Sequence, residues 1–139
     1  NLVIYNEAGM VQIMDLKKGK SIYNKDYERN LYSNPVLYKG LIIIPFAEGE
    51  IKAINLKQDS VAWNFEFPEL LNLDLIQIED VIIAPFSSNG NIFCLQAGNG
   101  KQLWHFKAGR SIGYVKITSK GLLFSHRKHL ILIRNSNAR

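Results

Sequence analysis

Few residues in this chain have the type and spacing to do chemistry, and those few are scattered. Gly98-Asn99-Gly100-Lys101 offers a glycine-rich turn ending in lysine, the raw material of a phosphate cradle. Such a cradle needs a longer glycine spacing, a Ser or Thr after the lysine and a helix behind it, and Gln102-Leu103-Trp104 supplies none of these. His126 and His129 flank Arg127-Lys128 and could offer two imidazoles to a metal. A metal wants a third and fourth converging ligand, and no carboxylate is close in sequence. His105 beside Trp104 reads as an exposed or capping residue. Cys94 is the single cysteine, so no internal disulfide forms, and with no second soft ligand near it the thiol reads as a small buried hydrophobe. A Ser-His-Asp relay also fails, because no strand-to-helix elbow is present to carry the nucleophile. The expected catalytic, cofactor-binding and metal-binding sets are therefore empty, and the chain reads as non-enzymatic.

Charge is the remaining chemistry. Every Asp and Glu lies at or before Asp80; the first eighty residues carry 8 basic and 12 acidic groups, the last 59 carry 9 basic groups and no acid. A one-sign field of this kind steers an acidic partner. Lys107, Arg110, Lys116, Lys120, Arg127, Lys128 and Arg134 supply it, several of them in or beside loops, where binding residues concentrate. Arg110, Lys116, Arg127, Lys128 and Arg134 are the candidate partner-binding residues. Nucleic acid would need aromatic stacking platforms interleaved on the same exposed face, and Tyr114 and Phe124 alternate within strands in a way that turns them toward the core. An acidic protein surface or lipid headgroups rank above nucleic acid.

These residues must be positioned by short strands. Apolar residues make up 47% of the 139, which excludes a disordered tail, while no apolar run approaches the ~20 residues needed to span a bilayer. Ile42-Ile43-Ile44 and Val81-Ile82-Ile83 are flanked by turn residues and read as strands. Asn1 opens the chain in mid-pattern, which implies residues before it in a longer parent.

The strands recur with a period of about forty residues. Ile13-Met14-Asp15-Leu16-Lys17-Lys18-Gly19-Lys20-Ser21-Ile22-Tyr23 is followed by Ala53-Ile54-Asn55-Leu56-Lys57-Gln58-Asp59-Ser60-Val61-Ala62-Trp63, and then by Cys94-Leu95-Gln96-Ala97-Gly98-Asn99-Gly100-Lys101-Gln102-Leu103-Trp104. The frame is a small apolar residue, then Asp, Asn or Gln (Asp15, Asn55, Gln96), then Gly or Asp (Gly19, Asp59, Gly100), then an aromatic (Tyr23, Trp63, Trp104). Ile43-Ile44-Pro45-Phe46 returns as Ile83-Ala84-Pro85-Phe86, and Gly9, Gly49 and Gly90 mark one hairpin in successive copies. Four short antiparallel strands per unit make a propeller blade. The expected fold is all-β, a partial propeller with a partial blade over 1–24, blades over 33–67 and 73–107, and a partial blade over 113–134. Inner strands are expected from Ser33 and from Leu73. An arc of fourteen strands leaves apolar flanks that must meet missing blades of the parent or another copy.

The frame Ala-x-Asp-x-x-x-Gly-x-x-x-Trp, carried here by Asp15, Gly19 and Tyr23, by Asn55, Asp59 and Trp63, and by Gln96, Gly100 and Trp104, resembles the repeat of the pyrroloquinoline-quinone-like propellers. Ser33-Asn34-Pro35-Val36 is similar to the opening of that family's inner strand. The resemblance implies that Trp63 and Trp104 pack between blades and that the turn glycines take positive φ. It also implies one of two lines of function. The quinone-dependent dehydrogenases need a calcium site, a catalytic Asp and often an adjacent cysteine pair, none of which has a candidate after Asp80. The outer-membrane assembly lipoproteins are scaffolds without a cofactor, and this chain resembles them more. That branch implies protein partners among the outer-membrane assembly components, on the periplasmic side of that membrane. A quinone-dependent dehydrogenase fragment and an intracellular interaction module are the alternatives.

Overall fold

The computed structural model describes residues 1–134, which fold into four antiparallel sheets in chain order. The first has three strands, β1 (Leu2–Tyr5), β2 (Met10–Asp15) and β3 (Lys20–Asp26). The second has four, β4 (Val36–Tyr38), β5 (Leu41–Pro45), β6 (Glu50–Asn55) and β7 (Ser60–Glu66). The third repeats it with β8 (Ile76–Ile78), β9 (Val81–Phe86), β10 (Asn91–Gln96) and β11 (Gln102–Lys107). The fourth has β12 (Val115–Thr118), β13 (Gly121–His126) and β14 (His129–Ile133). Each sheet is a simple meander, so every pairing is local and every connection short.

Side-chain alternation explains the stacking. Successive residues of a strand face opposite sides of the sheet. On β5, Ile42 and Ile44 enter a core shared with Val11 and Ile13 of the first sheet, while Ile43 enters a core shared with Ile82, Ala84 and Phe86 of the third. On β9, Ile83 turns the other way and meets Leu122 and Phe124 of the fourth. The central strands are apolar on both faces because both faces are covered. Phe46 and Phe86 are fully buried at matching places, and Phe124 is fully buried at the place of Ile44 and Ala84, each aromatic worth about 2–3 kcal/mol by area.

One irregularity recurs in register. Ile13 pairs Tyr23 but Met14 pairs Ser21; Ala53 pairs Trp63 but Ile54 pairs Val61; Cys94 pairs Trp104 but Leu95 pairs Gln102. Each outer strand therefore carries one extra residue, a β-bulge that sharpens the twist where the sheets must fan out.

The inner strands are shorter than their sequence suggests. β4 starts at Val36 rather than Ser33, since Pro35 has no N–H to give the ladder. β8 starts at Ile76 rather than Leu73, because the preceding segment instead carries Leu71 and Leu75 into the core between the second and third sheets. The three cores lie between consecutive sheets, and among the described residues none joins the first sheet to the fourth. Leu2, Ile4 and Met10 of the first sheet and Leu130 of the fourth stay exposed.

Candidate functional site

The repeat residues sit where one sheet meets the next. Asp15 Oδ1 accepts from the Lys17 and Lys18 N–H groups at 2.9 and 3.2 Å, and Asn55 Oδ1 accepts from the Lys57 and Gln58 N–H groups at 3.0 and 3.1 Å. A short polar side chain closing its own turn in this way pins the outer hairpin. Gln96 makes no such side-chain bond; its backbone carbonyl instead takes the Gly100 N–H at 2.8 Å. Gly19, Asp59 and Gly100 all adopt positive φ, at 63°, 47° and 70°. Asp59 tolerates that region less easily than glycine, and its carboxylate meets Lys25 Nζ of the preceding sheet at 3.2 Å.

The aromatic position divides. Trp63 is 7% exposed and its indole N–H donates to the Ala97 carbonyl of the third sheet at 2.9 Å. A Cβ on Gly100 would lie 2.6 Å from the Trp63 ring, so that glycine is needed for close approach as well as for its turn. Tyr23 is half-buried and shares a hydrogen bond with Tyr27, their hydroxyl oxygens 2.6 Å apart. Trp104 departs from the expected inter-blade packing: it is 42% exposed, on the wall of an open cleft of about 550 Å³ also lined by Cys94, Leu122 and Arg134. The repeat position that covers Trp63, Ala97, corresponds to Asn135, outside the described residues. Burial pushes the Cys94 thiol up from its ordinary value, as suits a core thiol.

The opposite ends of the sheets hold a second recurring position that the repeat frame does not include. It follows each outer strand by a few residues and is filled by Arg29, Glu69 and Arg110. The correspondence is fixed by backbone bonds: the Tyr27, Phe67 and Ala108 N–H groups donate to the Gly9, Gly49 and Gly90 carbonyls at 3.0, 3.0 and 2.9 Å. Arg29 reaches the β5–β6 hairpin of the next sheet. Its two guanidinium nitrogens bind Glu50 and, at 3.3 Å, Glu48, and its carbon lies 4.0 Å from the Phe46 ring centroid. Burial alone would raise the Glu50 carboxyl, but hydrogen bonds from Arg29 and Lys52 outweigh it and hold the group below its usual range. Glu69 does the same for the next hairpin with uncharged partners, accepting from Asn89 and Asn91 at 2.9 and 2.7 Å. Asn91 is buried, and its Oδ1 takes the His105 Nε2 proton at 2.7 Å while His105 stacks on Phe93 at 4.2 Å.

The third member is different. Beside Arg110, the Ser111 carbonyl takes the His126 Nδ1 proton at 2.8 Å, which ties this loop to the base of the β13–β14 hairpin. The turn of that hairpin is Arg127–Lys128, with His126 paired to His129. Arg110, Arg127 and Lys128 are exposed, and among the described residues none has an ion-pair partner. The structure thus gathers three of the five candidate partner-binding residues at one end of the last two sheets. Lys116 stands in mid-strand on β12, paired to Leu123, and faces away from the third sheet. Arg134 lies just past β14 at the other end, on the Trp104 cleft. Phe124 is fully buried as expected, but Tyr114 is 50% exposed, because it precedes β12 and, among the described residues, no further sheet covers it.

Among the described residues, no three His, Cys, Asp or Glu side chains converge in a way that could hold a metal ion. Eight of the twelve carboxylates accept hydrogen bonds that close turns or tie segments and sheets together, Asp80 for example from Tyr38 and Lys39 at 2.7 and 2.8 Å, and Glu66 accepts from Asn64 of its own strand.

No family model and no curated protein matches the sequence. Solved structures match in fold. BamB from Moraxella catarrhalis superposes with a TM-score of 0.67 at 14% identity, over 88% of this chain and 39% of its own. Quinohemoprotein alcohol dehydrogenase ADHIIG from Pseudomonas putida HK5 gives 0.63 at 15%, over 76% and 19%. Saccharomyces cerevisiae Sqt1 gives 0.71 at 13%, over 93% and 39%. The chain spans about two fifths of the length of BamB and of Sqt1. The resemblance is distant and partial, and extends to several propeller proteins rather than to one family.

Proposed function

We propose that the four sheets are consecutive blades of a larger propeller, and that this propeller presents its blade ends to protein partners rather than turning over a substrate. The observation that carries the proposal is the use made of the acidic side chains. Eight of twelve accept bonds within turns or between segments, while the cations gathered on the last hairpin are left facing solvent. A rigid stack with an unmatched charged end is suited to holding a surface still, which lowers the ordering cost of association. Likeness to BamB and to Sqt1 at comparable TM-scores supports a general interaction module more than any one assembly.

The second reading is the narrower one of a scaffold for outer-membrane barrel assembly, facing the periplasm. The fold likeness to BamB over 88% of the chain favours it. A parent chain with a secretory signal followed by a lipid-modified cysteine is expected on that reading alone. The competing assignment, a quinone-dependent dehydrogenase segment, draws on the fold likeness to ADHIIG.

The test is site-specific photo-cross-linking in cells. A photoreactive residue at Arg127 is expected to yield a discrete protein adduct, and one at Gln58, on an outer turn, none. Absence of any adduct from Arg127, together with stoichiometric binding of pyrroloquinoline quinone in a calcium-supplemented fluorescence titration, would move the assignment to the dehydrogenases.

A further inference from the structure

The Arg29 position recurs three times, and its third copy lacks what completes the first. In the first, a guanidinium lies over Phe46 and is bound by Glu48 and Glu50 of the next hairpin. In the second, the carboxylate of Glu69 is bound by Asn89 and Asn91. In the third, Arg110 stands where Arg29 stands. Strand register gives the rest of the correspondence: Ile44 pairs Lys52, Ala84 pairs Phe93 and Phe124 pairs Ile131, so His126 takes the place of Phe46 and His129 that of Glu50. The turn Arg127–Lys128 replaces Ala47-Glu48-Gly49. A position built elsewhere as a guanidinium closed by two carboxylates is here a guanidinium beside two more cations. Lys107 closes the same end of β11, paired to Asn91.

We infer that this end of the third and fourth sheets is a docking site for an acidic segment of a partner protein, whose carboxylates take the places that Glu48 and Glu50 hold around Arg29. The planar guanidinium accepts a carboxylate through two parallel N–H donors, and the turn cations add long-range attraction. Among the described residues no carboxylate pairs with Arg110, Arg127 or Lys128; Glu69 is held by its two asparagines and Asp74 by the Asn34 N–H. A nucleic acid is less well served, because stacking requires successive aromatic platforms; Tyr114 is exposed nearby, but Phe124 is buried and Phe106 half-buried against it.

The inference rests on the partner-presenting reading above and is tested on the full chain with a fluorescein-labelled oligoglutamate peptide, followed by anisotropy over a salt series. Arg110→Gln and the double variant Arg127→Gln/Lys128→Gln are expected each to weaken binding about tenfold or more and to flatten its salt dependence. The control pair Lys17→Gln/Lys18→Gln, on the outer turn of the first sheet, removes the same charge and is expected to change affinity less than twofold or so. Lys128→Glu gives Arg110 an internal carboxylate and is expected to abolish peptide binding while leaving the circular dichroism spectrum unchanged. Equal losses in the control and rim variants would reduce the site to net charge and overturn it. Rim-dependent binding of oligouridylate or of phosphatidylglycerol vesicles, tighter than the peptide at equal salt, would overturn the acidic-protein assignment. An Arg127 photo-adduct that persists without any oligoglutamate binding would sink this inference and leave the partner-presenting reading standing.

Discussion

Trp63 and Trp104 occupy the same place in the repeat, yet one is 7% and the other 42% exposed. The difference is not in the residues but in what lies over them. Trp63 gives its indole proton to Ala97 and stacks under Gly100, both from the following sheet, whereas Trp104 borders an open cleft. Trp63→Ala is therefore expected to cost about 3–5 kcal/mol, from lost packing, a cavity and an orphaned carbonyl. Trp104→Ala is expected to cost about 1 kcal/mol or less. Urea denaturation of the two variants checks the pair, and equal losses would mean that Trp104 is covered in solution. The repeat frame makes the two tryptophans equivalent, and their identical spacing justifies that. It does not supply the neighbour that turns one of them into a core residue.

At the scale of elements, the hairpin turns are the most constrained parts of the chain. Gly49 sits at φ 100° with the Phe67 and Glu69 carbonyl oxygens where a Cβ would go, while Gly40 sits at φ 81° with nothing within 4 Å. Gly40→Ala is expected to cost about 1 kcal/mol, the ordinary penalty for a left-handed alanine. Gly49→Ala adds a backbone collision and should lower the thermal midpoint far more. Thermal melts followed by circular dichroism distinguish them; similar midpoints would mean that the loop after β7 yields freely. The glycines, the Asn89-Gly90 turn and strands such as Val81–Phe86 are legible in the sequence because turn chemistry and alternation are local. The shorter start of β4 follows from Pro35 and is legible too, but that of β8 is not: it depends on where Leu71 and Leu75 plug the core, a matter of packing between sheets.

At the scale of the whole molecule, three cores join the four sheets of the described residues and leave two faces over. The outward face of the fourth sheet stands in the same relation to its sheet as the face of the third that meets it, and the outward face of the first matches the face by which the second meets the first. Leu130 is 69% exposed on one, and Leu2 and Ile4 are 47% and 45% exposed on the other. Apolar faces related in this head-to-tail way invite association between copies when nothing else covers them. Light scattering over a concentration series is expected to show a rising mass, and Ile4→Lys with Leu130→Lys to return the chain to a monomer. A wild-type mass that stays monomeric at every concentration would mean that the two faces cover each other or are capped.

The charge asymmetry shows where sequence and tertiary structure part. Composition alone separates an acid-containing first part from a wholly basic last part, and periodicity alone sets the repeat length, the strand order and the left-handed turns. These follow from interactions between residues close in the chain, where residue type dictates φ, alternation and turn closure. Only the tertiary structure decided that Arg110, Arg127 and Lys128 share one end while Arg134 lies at the other and Lys116 stands between. Only it paired Arg29 with Glu50 and left Arg110 without a counterpart among the described residues. Partners of this kind come from successive sheets, and their meeting depends on the stacking of one sheet on the next, which no single stretch of sequence encodes.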